Sequence, residues 1–197
     1  MSLPTLRNQH ADLTRELILR TLARLVSQEG VHDFSIQRVA DLAGLSHRTV
    51  YRHFQTRDEL LEALAAWLES RMPRDLDSFR ADELEDAIPM LHQLFEDHAE
   101  HVTALAVLAA GARIRVPRRK AHTRTARRAL ADVVRDLDPE DAGAVVTLIR
   151  AIVGSHMWSH LRNEHHLDRE HTTRAVTWAA STLVTALKAG KGPKSKG

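Results

Sequence analysis

The chain has 197 residues and 43% hydrophobic content, enough for one large domain or a small domain joined to a larger one, while aromatic residues make up only 4%. Cysteine is absent, which excludes disulfides, thiolate metal sites and thiol redox switching. The net charge of +2 is unevenly spread: residues 1–57 carry +3, residues 58–117 carry −8 and residues 118–197 carry +7, which argues against a uniformly basic nucleic-acid-coating protein. No apolar run reaches the roughly 20 residues of a membrane span, the best being VTALAVLAAGA at 102–112. The first seventeen residues lack the apolar core of a secretion signal, so a soluble cytoplasmic protein is expected.

Apolar periodicity and turn residues are helical throughout, with no strand alternation. A first helix is expected over about 12–29, with Ile18, Leu22 and Leu25 inward and Gly30 as its stop. Residues 34–54, FSIQRVADLAGLSHRTVYRHF, then give a helix, a glycine turn and another helix. Ile36, Val39, Ala40 and Ala43 follow the i, i+3, i+4, i+7 pattern of an inner stripe. Gly44 stands where the chain must leave that helix, a position favouring left-handed backbone angles. Leu45 plugs the turn, and Ser46 can cap the free amides of the next helix. There Val50 and Phe54 face inward, leaving His47, Arg48, Thr49, Tyr51, Arg52 and His53 outside.

Thr56-Arg57-Asp58-Glu59 is a capping box that launches a fourth helix, with Leu61, Leu64, Ala65 and Leu68 inward, ending before Pro73. A fifth helix over 81–98 places Leu84, Ile88, Leu91, Phe95 and His98 on one side. A sixth runs to about Arg115 before Pro117, and a seventh to Leu137. Asp138-Pro139, cap then first-turn proline, opens an eighth with Val145, Leu148, Ile149 and Ile152. A ninth covers 169–189, with Val176, Ala179, Ala180, Leu183 and Leu187 on one face. Residues 191–197 read as a disordered basic tail. The eighth helix carries Gly154, Ser155 and Ser159 and the ninth Ala179, Ala180 and Ser181, small residues that permit close crossing. With Trp158 and Trp178 they suit either an interface between two copies or an intramolecular core.

The chemistry concentrates on the outer face of the third helix. Arg48 and Arg52 carry fixed charge, and an arginine fork suits a phosphate or a guanine edge. Ser46, Thr49 and Tyr51 offer hydroxyls that hold phosphate without adding charge. Between residues 34 and 57 the single acid, Asp41, faces Arg38, Arg48, Arg52 and Arg57. This is the layout of a DNA-reading helix-turn-helix, although a solvated face of an ordinary bundle has similar composition. The run at 112–128 has eight basic residues and no acid, consistent with a solvated face, a further DNA contact or a mouth for an anionic ligand. Among thirteen histidines, His156 and His160 stand four apart, a chelating spacing, and His165, His166 and His171 lie in the connection that follows. No third ligand can be located, so no metal is expected, and scattered solvated or core histidines are the simpler account. No metallopeptidase pair, nucleophile motif or glycine-rich phosphate loop is present, so neither enzymatic activity nor a cofactor is expected.

Residues 15–61 resemble the amino-terminal domain of the TetR/AcrR family of bacterial regulators. The resemblance rests on Ile18-Leu19, Leu25-Val26, Gly30, Ser35, Val39-Ala40, Ala43-Gly44-Leu45-Ser46, Thr49-Val50-Tyr51-Arg52-His53-Phe54, Arg57 and Leu60-Leu61. It implies an all-α, nine-helix TetR-like fold, with a helix-turn-helix domain at 1–57 and a helical ligand-binding and dimerisation domain at 58–190. By position it implies DNA contacts from Ser35, Gln37 and Arg38 near the backbone and from Ser46, His47, Arg48, Thr49 and Arg52 in the major groove. Tyr51, His53 and Arg57 would hold phosphates. His47-Arg48 occupy positions where the family often has small residues. The resemblance further implies a homodimer through the eighth and ninth helices, a palindromic double-stranded DNA operator and a small-molecule effector that releases a repressor. Plausible effector lining is Leu91, Phe95, His98, Leu105, Ile149 and His156, which would serve equally as core. The alternative from another class is a helical enzyme or ligand carrier with a vestigial helix-turn-helix.

Overall fold

The computed structural model describes residues 6–30, 34–71, 80–111 and 119–193. All regular structure among them is helical, with no strand. Eleven α-helical segments follow in order: α1 (Leu6–Glu29), α2 (Ile36–Ala43), α3 (His47–His53), α4 (Arg57–Arg71), α5 (Leu84–Asp97), α6 (Ala99–Gly111), α7 (Arg119–Ala129), α8 (Ala131–Val134), α9 (Pro139–Val153), α10 (Ser155–Ser159) and α11 (Arg169–Lys188). A π-turn, His160–Glu164, follows α10. The nine predicted rods are therefore present, with the seventh interrupted between α7 and α8 and the eighth between α9 and α10. The second break falls at Gly154, where a Cβ would lie 2.8 Å from the Arg150 carbonyl oxygen, so only glycine lets the chain turn there without a clash. The first helix begins six residues earlier than its apolar pattern indicates.

Two compact units emerge. One gathers residues 1–72 and 100–117, the other residues 73–99 and 118–197. The first has one continuous core: Ile18, Leu22 and Val26 of α1, Phe34 before α2, Val39 and Ala40 of α2, and Val50 and Phe54 of and after α3. Leu60, Leu61, Leu64 and Leu68 of α4 and Ala104 and Leu108 of α6 complete it. Nearly every apolar position expected to face inward from residues 18 to 68 does so. The exceptions are Ile36, Ala43 and Leu45, each half-buried.

The second unit holds two smaller clusters. Leu130, Val133 and Val134 pack with Val145, Val146 and Ile149 of α9 and Val184 of α11. Ile88 of α5 packs with Val176 and Ala180 of α11. On α5 the buried set is Ala87, Ile88, His92 and Phe95, while Leu91 and the C-cap residue His98 are half-buried. Helical spacing allows either position 91 or 92 between Ile88 and Phe95; hydrophobicity favours leucine, but the packing takes histidine. Trp158 is also interior, edge-on to Phe95 with ring centroids 5.6 Å apart. Ser159 and Ala180 are buried as well, so of the small and aromatic residues singled out on the last two rods these three lie in the chain's own interior.

Candidate nucleic-acid interface

Three local devices shape the motif. Ser35 caps α2 by accepting from the Arg38 amide at 3.1 Å. Gly44 ends α2 at φ +65°, the left-handed region, and the Leu45 amide donates back to the Ala40 carbonyl at 2.9 Å. Ser46 then caps α3, accepting from the Thr49 amide at 3.1 Å while its hydroxyl meets that of Thr49 at 2.8 Å. The seven residues of α3 are too few for a helix to persist alone. Val50 and Phe54, both fully buried, hold it in place and set which side faces outward.

That outer side is as expected from the sequence. Ser35, Gln37, Arg38, Ser46, His47, Arg48, Tyr51 and Arg52 are exposed, and Thr49, His53 and Arg57 are half-exposed. Their states differ in ways that spacing does not disclose. Arg48 and Arg52 meet no acid among the described residues. Arg38 is held by Glu29, its guanidinium donating at 2.6 and 3.2 Å to both carboxylate oxygens, which raises its pKa. Gln37 donates to Asp41 at 2.7 Å. Arg57 lies over the Phe34 ring, 4.5 Å from its centroid, and Arg15 over Phe54 at 4.4 Å. His47 stands edge-on to Tyr51 at 4.6 Å. Burial, with the charges of Arg52 and Arg15, lowers the pKa of His53 and so favours its neutral form.

The capping box at Thr56 also forms: the Glu59 amide donates to the threonine hydroxyl at 3.1 Å, and the Glu59 carboxylate accepts from the Gln55 amide at 2.7 Å. The carboxylate thus reaches one residue further back than the simple box. Of the basic run at 112–128, residues 112–118 lie outside the described residues; the rest starts α7.

The six side chains considered for effector lining belong to several different elements. Leu91 and Phe95 lie on α5, and His98 is its C-cap. Ile149 packs with Leu130 and Val146, Leu105 packs against the core of the first unit, and His156 is exposed on α10. Composition and periodicity overlooked the buried polar groups instead. His92 is 0% exposed, its Nδ1 3.0 Å from the Thr173 hydroxyl and its ring stacked on Phe95. Its Nε2, the indole nitrogen of Trp158 and the hydroxyl of Thr172 are buried without a hydrogen-bond partner among the described residues. Burial above all lowers the His92 pKa to about 4, with the Glu96 charge opposing and that of Arg169 assisting. A signal existed: two threonines at 172–173 and a histidine on a buried stripe are polar residues where aliphatic ones would pack better.

Residues 18–64 match the family of bacterial regulatory proteins, tetR family. None of the curated proteins matches the chain in sequence. Among solved structures, a protein from Rhodococcus sp. assigned to the TetR-family transcriptional regulators is 20% identical with a TM-score of 0.66, covering 87% of this chain and 99% of that one. A gamma-butyrolactone receptor (ArpA like protein) is 19% identical with a TM-score of 0.59, covering 92% and 99%. NalD from Pseudomonas aeruginosa, the secondary repressor of the MexAB-OprM multidrug efflux pump, is 16% identical with a TM-score of 0.56, covering 86% and 95%. At these identities the likeness is one of fold. Together with the capped, outward-facing α3, these findings define an all-helical, helix-turn-helix DNA-binding protein. Residues 18–64 carry the segment of the tetR family of bacterial regulatory proteins, and the fold of the chain is that of TetR-family transcriptional regulators.

Proposed function

We propose that the protein is a homodimeric repressor whose two copies of α3 read half-sites of a palindromic operator in successive major grooves, and which a small molecule releases. The observation that carries the reading is the pair Arg48 and Arg52: exposed, without an acidic partner among the described residues, on a helix whose opposite side is locked by Val50 and Phe54. Residues 1–57 would act as the DNA-reading head and residues 58–190 as the effector and dimerisation body. Two copies related by a two-fold axis would space the heads by roughly 34–36 Å or a multiple of it. Effector binding would favour a conformation in which that spacing is wrong.

The dimer would form through α9 and α11, where Leu148 and Trp178 stay exposed, Trp178 at 71%. The effector would bind in the second unit beside Leu91, Phe95 and His98, with the unpartnered atoms of His92, Trp158 and Thr172 as its polar anchors. A modest aliphatic ligand with one polar group suits so few aromatics. Thermal stabilisation by aliphatic acids or thioesters, and none by cationic dyes, is the expected screen result; the opposite pattern would overturn the ligand class. For the DNA reading, fluorescence anisotropy on the adjoining intergenic DNA is the direct test. Arg52→Ala should weaken binding at least tenfold with an unchanged circular-dichroism spectrum. Its slope of log affinity against log salt should fall by about one unit if Arg52 meets a phosphate. Undiminished affinity would refute this placement of the groove face.

A further inference from the structure

The chain's one described π-turn is built around a pair of histidines. The His165 amide donates to the His160 carbonyl at 3.2 Å, five residues back, and the Leu167 amide donates to Leu161 at 3.0 Å. In an α-helix, residues five apart point roughly 140° away from each other. The wider π-turn instead brings the two imidazoles together, edge to face, with ring centroids 4.6 Å apart and the Nε2 atoms 3.1 Å apart. On the far side of the His160 ring, Nδ1 lies 3.0 Å from the Glu164 carboxylate. A carboxylate only accepts, so Nδ1 carries the proton and the Nε2 of His160 presents a lone pair toward His165. His166, next in the chain, has a left-handed φ of 53°, a conformation that residues other than glycine seldom adopt. The pairing that sequence spacing singles out, His156 with His160, is not the one that forms.

The two Nε2 atoms share a hydrogen bond here, and the same spacing would suit a metal ion in place of the shared proton. Two nitrogens each about 2.0–2.1 Å from one ion stand roughly 2.9 Å apart at a right angle and roughly 3.4 Å apart at a tetrahedral one; the observed 3.1 Å falls between. A carboxylate on the outer nitrogen of a ligating histidine fixes its tautomer and raises its basicity. We propose that the π-turn binds a divalent transition-metal ion of the zinc, nickel or copper type between the Nε2 atoms of His160 and His165, with Glu164 orienting His160. The site is open. His160 is 39% exposed in its side chain, and no set of three or more His, Asp or Glu among the described residues converges on one point, so water completes the coordination. Arg162, within the same turn, donates to both oxygens of Glu96 at 2.7 and 3.1 Å and also to the Leu167 carbonyl. An ion that locks the turn therefore also steadies its attachment to α5.

The test is calorimetric titration of zinc and nickel into the tag-free full chain in a non-chelating buffer. One ion per chain is expected, with affinity falling tenfold or more in His160→Ala and in His165→Ala. In Glu164→Gln it should fall about tenfold, and in His171→Ala, whose ring is engaged by Asp168, it should not change. Nitrogen-15 spectra of the wild-type imidazoles keep the outcome independent of variant folding: the Nε2 signals of His160 and His165 should move together on adding zinc. Unaltered affinity in a variant carrying both His160→Ala and His165→Ala, movement confined to other histidines, or no binding would each overturn the proposal.

Discussion

Arg38 and Arg52 illustrate how equal charges acquire unequal roles. Both are exposed arginines of the motif, yet Arg38 already gives its fork to Glu29, while Arg52 meets no acid. Releasing Arg38 to a phosphate means breaking that pair, so Arg38→Ala should reduce operator affinity less than Arg52→Ala does, measured side by side by anisotropy. A larger loss in Arg38→Ala would show that the Glu29 pair opens on DNA. His92 makes a second prediction. Its folded pKa of about 4 lies below the unfolded value of about 6.5, so as pH falls the unfolded chain takes up the proton first. The stabilisation it contributes is complete above pH 6.5 and is lost as pH drops toward 4, by roughly 3 kcal/mol at most. Urea midpoints at pH 7 and 4.5 should therefore fall further in the wild type than in His92→Gln; equal falls would remove His92 as the source.

At the scale of the element, the motif is an assembly of end-caps around short helices. Gly44 has open space about its missing Cβ, but its φ of +65° strains any other residue, so Gly44→Ala should cost about 1–2 kcal/mol. Ser46→Ala removes the cap of α3 and should cost about 1 kcal/mol. Phe54→Ala, deleting the fully buried anchor behind the same helix, should cost about 3–5 kcal/mol. Chemical denaturation gives all three values, and the order is the informative result: a cap worth more than the anchor would mean that α3 is held by its ends and not by its buried face.

For the whole molecule, the exposed Trp178 and Leu148 are the apolar surface that the proposed dimer must cover. Trp178→Lys should shift sedimentation toward the monomer and weaken operator binding together, because one head reads only a half-site. A monomeric variant that still binds the full operator at wild-type affinity would separate dimerisation from recognition. Trp158→Lys serves as the contrasting case, since it places a charge in the interior against Phe95 and should unfold the second unit instead.

Residues 18–68 were legible almost position by position. There the stripe at 18, 22 and 25, the stop at Gly30, the turn at Gly44-Leu45-Ser46 and the Thr56 box are all local: each depends on residues within a few positions, which is the range over which helix period and capping act. The outward face of α3 followed from the same rules by subtraction, and the all-helical class from period alone. What needed the tertiary structure were the choices that local rules leave degenerate. His92 over Leu91 on α5, Trp158 inward while Trp178 stays out, Arg38 bound to Glu29 while Arg52 stays unpaired, and His165 rather than His156 beside His160 all turn on contacts between distant segments or on a backbone irregularity. Hydrophobicity and spacing say which side of a helix seeks cover; they do not say which neighbour arrives to provide it.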